Sequence, residues 1–295
     1  MKKLLSFALV LALALVALIP ALAEDSADVA AVKARGKLLV GVKADVPNFG
    51  YQDLGGEFEG LEIDLAHKLA EVILGDPNAV EFTAVTAKTR GPLLDTGELD
   101  MVIATFTIKP DRILQYDFSK PYFIDAIGLL VMKDSGIASF ADLAGKTIGV
   151  AQSATTKDAL QAAATDAGIT VNFSEFPTYP DIKAALSSGR IDCFSVDKSI
   201  LNGYVDDTTV LLPDTFSAQP YGVAVKKGNT GLLSVVDDTI ASMRKDGSLD
   251  AMVSKWTLPA VDWAKVDEFS VSLWQQAEEL ANATATPEAT ATVAP

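Results

Sequence analysis

Hydrophobic and polar positions alternate in blocks along residues 36–257, and these blocks predict strands and helices in turn. Apolar runs of strand length recur at residues 37–43, 80–85, 101–104, 127–132, 147–150, 171–176, 193–196 and 223–225. Between them, apolar residues at helical spacing, such as Leu61, Leu65 and Leu69, predict amphipathic helices. Gly75 marks the end of that helix. The alternation is typical of an α/β protein with mainly parallel sheets.

The amino-terminal residues form a separate apolar block. Lys2 and Lys3 precede an apolar run over residues 4–20, and residues 21–23 have the small-x-small sequence that signal peptidase cuts. This predicts a signal peptide over residues 1–23. A retained membrane anchor is the alternative, because the run is borderline in length for spanning a bilayer. No cysteine lies near the cleavage site, so we expect a periplasmic or otherwise extracytoplasmic protein without a lipid anchor.

The carboxyl-terminal residues also differ from the central part. Helical spacing over residues 269–282 predicts a helix within an extension that covers residues 261–282. Residues 283–295 consist mainly of Ala, Thr, Pro and Val, which offer little for a core. We therefore predict a disordered tail there.

One sequence pattern occurs twice in the central part. Residues 94–105 and 186–197 carry Leu, Gly and Asp at identical offsets, so each copy predicts a helix, a glycine stop and a strand. The strands deliver Thr105 and Asp197 at their carboxyl ends, where open α/β sheets bind ligands. The repeat predicts two similar lobes that face one cleft. The alternative is that this pattern is simply a common sequence for helix-to-strand turns.

Composition and charge argue against several classes of function. The chain has 295 residues, of which 49% are hydrophobic and 21% charged, so two globular domains fit. A net charge of -15 disfavours a nucleic-acid partner. Cys193 is the one cysteine and His67 the one histidine, which excludes an internal disulfide, a thiolate metal cluster and a Ser-His-Asp arrangement. We expect no cofactor and no metal, and no spacing singles out a catalytic pair of carboxylates.

Three longer motifs resemble a known family. Residues 60–66 (GLEIDLA) are similar to its signature G-[FL]-x-[VI]-D-[LV]-A, residues 105–112 (TFTIKPDR) to T-x-[TS]-I-x-x-x-R, and residues 117–123 (DFSKPYF) to D-F-S-x-P-Y-[YF]. The chain resembles family 3 of the bacterial solute-binding proteins, which bind polar amino acids for ATP-binding cassette (ABC) importers. The resemblance is strongest to the branch that binds aspartate and glutamate.

This resemblance implies a type II periplasmic-binding-protein fold, also called a Venus flytrap, with two α/β lobes joined by two crossing strands. Lobe 1 would comprise residues 24–131 and 222–260, and lobe 2 residues 132–221. The crossings would lie near residues 131–134 and 218–222. The extension at 261–282 is not part of the family pattern.

The resemblance also implies the groups that hold the amino-acid backbone of a ligand. Arg112 matches the arginine that clamps the α-carboxylate, a role that suits a planar guanidinium with paired donors. Asp197 matches the aspartate that accepts from the α-ammonium. The alternatives are a surface ion pair of Arg112 with Asp111 or Asp117, and an ordinary turn carboxylate at Asp197.

Smaller polar residues complete the implied site. Thr105, Thr107 and Thr155 match positions that supply hydroxyl or backbone contacts, and Tyr221 could add its hydroxyl. The alternatives are strand-end or N-cap roles for the threonines and core packing for Tyr221. For Thr155 both roles are compatible, since a helix N-terminus attracts a carboxylate.

Two further cations indicate the ligand class. Lys43 lies where relatives that bind cationic amino acids carry an aspartate, and Arg90 matches an arginine that contacts the side-chain carboxylate in relatives with acidic ligands. With Arg112 and Asp197, these residues give the cleft a net charge of +2. That charge favours aspartate or glutamate over glutamine or a basic amino acid. The alternative for Lys43 is a solvated strand end.

We therefore expect a monomeric extracytoplasmic receptor that captures aspartate or glutamate by lobe closure and presents it to the permease of an ABC importer. No covalent chemistry is needed, so we do not expect an enzyme. The alternatives are a receptor for glutamine or another polar amino acid, a chemosensory or adhesin role, and an enzyme similar to cyclohexadienyl dehydratase.

Overall fold

The structure is a computed structural model that describes residues 25–285. The predicted signal peptide, residues 1–23, lies outside the described residues, as do residues 286–295 of the predicted tail. The strands, in chain order, are β1 (Leu38–Val42), β2 (Asp45–Val46), β3 (Gly50–Gln52), β4 (Phe58–Glu59), β5 (Val80–Ala84), β6 (Met101–Ile103), β7 (Tyr116–Phe118), β8 (Phe123–Met132), β9 (Thr147–Ala151), β10 (Asn172–Phe176), β11 (Cys193–Asp197), β12 (Thr209–Leu211), β13 (Phe216–Tyr221) and β14 (Ala224–Lys226).

The helices alternate with these strands, as the hydrophobic pattern predicts. In chain order they are α1 (Ala27–Arg35), α2 (Leu61–Leu74), α3 (Arg90–Thr96), α4 (Pro110–Gln115), α5 (Thr156–Asp166), α6 (Tyr179–Ser187), α7 (Lys198–Asn202), α8 (Thr230–Asp246), α9 (Ser248–Lys255) and α10 (Trp263–Ala285), with a 3-10 turn at Phe140–Leu143. No helix within residues 25–285 is both long enough and apolar enough to cross a bilayer.

Two mixed sheets form the centres of two lobes. The lobe 1 sheet has the order β5-β1-β6-β14-β7, the lobe 2 sheet has the order β10-β9-β11-β8-β12, and β13 also pairs with β8. The predicted two-lobe α/β fold is confirmed. However, only β5-β1-β6 and β10-β9-β11 are parallel. The expectation of mainly parallel sheets was wrong because β8 and β14 enter their sheets from the other lobe and run antiparallel to their neighbours.

The first crossing lies closer to the amino terminus than we predicted. Val131, placed near that crossing by the sequence, pairs with Cys193 inside the lobe 2 sheet. Because β7 belongs to one sheet and β8 to the other, the chain crosses between Phe118 and Phe123. The second passage, between β13 and β14, falls at residues 222–223. The apolar run at residues 127–132 did not reveal the boundary between lobe 1 and lobe 2, since a buried strand has the same composition in either lobe.

The repeated sequence pattern has the same structural role in both lobes. Asp100, before β6, accepts from the backbone N–H of Leu39 at 2.8 Å, and Asp192, before β11, accepts from that of Thr147 at 2.8 Å. Each aspartate thereby fixes the start of the neighbouring parallel strand. The predicted similarity of the two lobes therefore extends to individual hydrogen bonds.

The extension forms a longer helix than the sequence indicated. We predicted a helix over residues 269–282, whereas α10 begins at Trp263 and continues to Ala285. The first residues of the predicted tail, 283–285, are therefore helical. The inner face of α10 carries Val266, Leu273 and Ala277, which are buried. Leu273 joins a lobe 1 core, so tertiary packing supports a longer helix than the apolar spacing alone suggested.

We predict that Asp100→Ala and Asp192→Ala destabilise their lobes similarly. Each change leaves a strand N–H without its acceptor, which costs about 1–3 kcal/mol in the free energy of unfolding. Urea unfolding followed by circular dichroism measures this cost. Asp134→Ala, at an exposed turn, is the matched control. A cost at only one of the two aspartates would contradict the equivalence.

Candidate ligand-binding site

The candidate site lies where the strand ends of the two lobes meet. Lys43 follows β1 and Thr105 lies just beyond β6 in lobe 1, while Asp197 ends β11 and Thr155 lies beyond β9 in lobe 2. The charges of Arg90 and Arg112, from lobe 1, lower the pKa of Asp197 in lobe 2, although burial outweighs them. The two strand ends marked by the repeated pattern therefore face each other across one interface.

Two guanidinium groups share the ring of Phe106. The guanidinium carbon of Arg90 lies 4.0 Å from the ring centroid and that of Arg112 lies 4.9 Å from it. Phe106 is buried and belongs to a lobe 1 core, so the ring is a fixed platform for both cations.

Both arginines bond to backbone carbonyls. Arg90 donates through Nη1 to the carbonyls of Ala104 at 2.6 Å and Thr105 at 3.1 Å, and its buried Nε has no hydrogen-bond partner. Arg112 donates to the carbonyl of Thr107 at 2.9 Å and, across the lobe interface, to that of Ser153 at 3.2 Å. Within residues 25–285, no carboxylate lies within ion-pair distance of either guanidinium.

Burial lowers the pKa of both arginines. For Arg112 the shift reaches a pKa of about 9, with desolvation as the main cause and the nearby charge of Arg90 as the second. For Arg90 desolvation is again the main cause. Desolvation makes each positive charge less favourable, so an added anion would be stabilising in this region.

Lys43 is buried in the lobe interface, not solvated at a strand end. It is 2% exposed, and its Nζ lies 2.9 Å from Oδ1 of Asp45 and 4.6 Å from the ring centroid of Tyr179 in lobe 2. Asp45 also accepts from the backbone N–H of Tyr179 at 3.2 Å, and its carbonyl accepts from the Tyr204 hydroxyl at 2.5 Å. Asp45 thus neutralises Lys43 and joins the two lobes, and sequence reasoning missed it.

Thr107 and Thr155 meet at a glutamine that the sequence did not single out. Their hydroxyls donate to Oε1 of Gln219 at 2.8 Å and 2.7 Å, and Nε2 of Gln219 donates to the Ser217 carbonyl at 3.2 Å. Gln219 lies on β13 and is 1% exposed. Thr155 occupies the N-cap position of α5, but its side chain makes no capping bond. One buried acceptor therefore ties a lobe 1 threonine to a lobe 2 threonine.

Asp197 and Tyr221 form a buried pair. The Tyr221 hydroxyl donates to Oδ2 of Asp197, while the Tyr221 ring stacks on Phe123. Tyr221 therefore packs in the core and also reaches the site. Burial, with the charge of Asp125 as the second cause, raises the pKa of Asp197 to about 7. An ammonium group placed beside Asp197 would stabilise its carboxylate form.

A second buried acid, Glu62, supports Thr105. The backbone N–H of Thr105 and the hydroxyl of Tyr122 both donate to Oε1 of Glu62 at 2.5 Å, and Oε2 has no hydrogen-bond partner. Thr105 has φ of 44°, a left-handed conformation that is strained for a β-branched residue. Burial raises the pKa of Glu62 to about 7. Glu62 stands inside a family motif, but nothing in the sequence indicated that it would hold Thr105.

Of the eight residues that we predicted, Lys43, Thr107 and Arg112 contact the opposite lobe directly, whereas Arg90 and Thr105 hydrogen-bond within lobe 1. Lys43, Arg90, Thr105, Thr107, Asp197 and Tyr221 are buried, and Arg112 and Thr155 are half-buried. A cavity of about 320 Å³ opens between the lobes beside Phe106, Arg112 and Ser153. A larger cavity of about 930 Å³ lies elsewhere, between α10 and lobe 1.

Comparison with known proteins identifies the family. Residues 38–259 match the bacterial extracellular solute-binding proteins, family 3. The chain belongs to this family. The family predicted from the three motifs is therefore confirmed, and the match ends before α10.

Individual relatives cover most of the chain. It is 35% identical to the ABC transporter glutamine-binding protein GlnH of Bacillus subtilis, over 87% of this chain and 97% of GlnH. It is 36% identical to the L-cystine-binding protein TcyJ of Escherichia coli K12, over 76% of this chain and 84% of TcyJ. Among solved structures, an ancestral arginine-binding protein bound to arginine is similar, with a TM-score of 0.68 and 37% identity. The match covers 75% of this chain and 98% of the arginine-binding protein. These names do not include aspartate or glutamate.

We predict that the ligand-free protein loses stability as the pH rises from 5 to 8. The folded pKa values of Glu62 and Asp197 are about 7, against ordinary values of 4.5 and 3.8. Between these values only the folded state keeps the protons, so raising the pH lowers the free energy of unfolding. The conservative variant Glu62→Gln should reduce that loss by about 1–3 kcal/mol.

Urea unfolding at pH 5, 6, 7 and 8 measures this dependence. Asp134→Asn, at an exposed turn, should retain the pH dependence of the unmodified protein. Equal pH dependence in Glu62→Gln and in the unmodified protein would show that Glu62 does not take up a proton on folding.

We also predict that Gln219→Leu destabilises the protein by about 1–3 kcal/mol, because two buried hydroxyls lose their acceptor. Thermal unfolding by calorimetry is the measurement. The control is Gln161→Leu, which makes the same substitution on the exposed side of α5, away from the interface. The role assigned to Gln219 is wrong if both variants are equally stable.

Proposed function

We propose that the protein is an extracytoplasmic receptor that captures an acidic amino acid, aspartate or glutamate, between its lobes and presents it to an ABC importer. We also propose that it acts as a monomer. The observation that carries the ligand class is the pair of guanidinium groups on Phe106, neither of which lies within ion-pair distance of a carboxylate among the described residues.

A dicarboxylic amino acid fits these two cations. Arg112 would hold the α-carboxylate, since it already reaches across the interface to lobe 2, and Arg90 would hold the side-chain carboxylate. Each guanidinium can offer paired, charge-assisted hydrogen bonds to a carboxylate. Asp197, with the Tyr221 hydroxyl, would accept from the ammonium group.

The charge balance supports an anionic ligand. The sequence-based count of +2 omitted Asp45 and Glu62, which cancel it when both are ionised. Since the pKa of Glu62 is about 7, the protonated form of Glu62 is accessible near neutral pH. With Glu62 protonated, the three cations exceed Asp45 and Asp197 by one charge, which equals the net negative charge of aspartate or glutamate. Asp125, beside Asp197, is offset in this count by the charge of Lys198.

Closure of the lobes explains how binding would be signalled. Arg112 and Thr107 of lobe 1 already reach lobe 2, where they donate to Ser153 and Gln219. A ligand that also contacts both lobes binds the closed form more tightly and so increases its population. A permease that recognises the closed shape would then engage the loaded receptor.

Glutamine is the second candidate ligand. The pairing of Lys43 with Asp45 leaves one cation fewer for a side-chain carboxylate. GlnH, which the chain matches over 97% of its length, is named for glutamine. A carboxamide could accept from Arg90 through its oxygen, although it would leave the buried charge without a counter-ion.

Neither a catalytic nor an adhesive role is favoured. The two buried acids that could act as catalysts, Glu62 and Asp197, each accept a hydrogen bond from a tyrosine hydroxyl. This arrangement suits binding, and we propose that the protein performs no covalent chemistry.

Calorimetric titration of the mature chain with the twenty amino acids tests the ligand class. We expect aspartate or glutamate to bind most tightly. Tightest binding of glutamine would establish the second candidate in place of the first. Binding of a basic amino acid alone would overturn both.

Variants of the two arginines should separate the roles. Arg112→Met removes the proposed α-carboxylate clamp and should abolish binding of every amino acid. Arg90→Met should weaken glutamate by about tenfold to a hundredfold, the cost of a lost charge-assisted hydrogen bond, and glutamine much less. Lys133→Met, at an exposed turn away from the cavity, is the control. Equal losses for glutamate and glutamine in Arg90→Met would contradict the assignment.

A further inference from the structure

The helix α10 lies outside the family match yet packs beside the proposed ligand clamp. The match ends at residue 259, and α10 begins at Trp263. Its main partner is α4, the short helix that carries Arg112. The carboxyl-terminal extension is therefore placed where it can influence ligand binding.

α4 has little support of its own. It spans only Pro110–Gln115 and contains no fully buried residue. A helix of this length is marginal unless other elements pack against it. Ile113 of α4 packs on the lobe 1 core that contains Leu273 of α10, with Phe269 and Trp274 of α10 at its edge. The extension thus supplies apolar surface that α4 needs.

The start of α10 is fixed by polar contacts to two other helices. Arg244 of α8 makes two parallel bonds to Asp267, at 2.9 Å and 2.8 Å, and its guanidinium lies 4.5 Å from the Trp263 ring centroid. Nε1 of Trp263 donates to Asp250 of α9 at 2.8 Å. Planar, bidentate pairs of this kind have a defined geometry. α10 is therefore held at one end while Leu273 enters the core.

The same core leads to the binding groups. Leu273 and Phe106 are both members of it, and the Phe106 ring carries the guanidiniums of Arg90 and Arg112. A change in packing at Leu273 can therefore shift α4 and the ring beneath the two cations. The buried side chains of this core transmit such changes by direct contact, while the cavity of about 930 Å³ separates another part of α10 from lobe 1.

We propose that α10 is a brace that positions Arg112, and that Leu273 is its principal positioning residue. This inference rests on the proposed function for the role of Arg112. Without the brace, α4 loses its outer packing, and the guanidinium is no longer held in the geometry that clamps the α-carboxylate.

Two variants test the brace on the mature protein. One ends the chain after Asp262, and the other is Leu273→Ala. We expect each to raise the Kd for the bound amino acid by about tenfold, the lower limit for a weakened charge-assisted contact. Leu280→Ala makes the same substitution at a position of α10 that is 37% exposed and outside this core, and it should leave the Kd unchanged.

A double-mutant cycle shows whether the effect passes through Arg112. In an Arg112→Lys background that still binds, Leu273→Ala should raise the Kd less than twofold, because the geometry that the brace maintains is already lost. An additional tenfold loss in that background would overturn the proposal, since α10 would then act through other residues.

Hydrogen exchange separates this inference from the proposed function. Amides of residues 111–116 should exchange at least tenfold faster in Leu273→Ala than in Leu280→Ala, whether or not any amino acid binds. Unchanged exchange there would overturn the brace, even if the receptor function holds. If the shortened chain fails to fold, the comparison of Leu273→Ala with Leu280→Ala is the test.

Discussion

Desolvation of three cations near the meeting of two lobes is the constraint on which this protein depends. Lys43 and Arg90 are buried and Arg112 is half-buried, and an uncompensated buried charge costs roughly 3–5 kcal/mol. Asp45 compensates Lys43 directly, whereas the two arginines have carbonyl groups and an aromatic face. In the proposed function, the ligand brings further negative charge to this interface. Ligand binding and lobe closure would then be one event, because the same groups would govern both.

The carboxyl groups of the site adjust to this constraint through their protons. Glu62 and Asp197 are buried, and desolvation raises the pKa of each to about 7. Each can be neutral or ionised near physiological pH, so the charge of the interface can respond to what it holds. An ammonium beside Asp197 would favour its ionised form and release a proton.

The motifs predicted the family and the set of side chains, but not how those side chains are paired. Arg112 and Asp197 could be found because each stands in a longer pattern with a fixed offset. Asp45 and Gln219 lie in no such pattern, and their importance comes from contacts between residues far apart in sequence. Gln219 meets Thr107 across 112 positions, a separation that no local periodicity reports.

The alternation of strands and helices, the repeated unit in each lobe and the chemical types at the strand ends follow from local spacing and hydrophobicity, so they could be predicted from the amino-acid sequence. The point where the chain crosses between lobes, the carboxylate that neutralises Lys43 and the length of α10 became known from the folded structure. Each of these depends on burial against distant residues, and burial, through desolvation and packing, sets both the charge of the site and the length of a marginal helix.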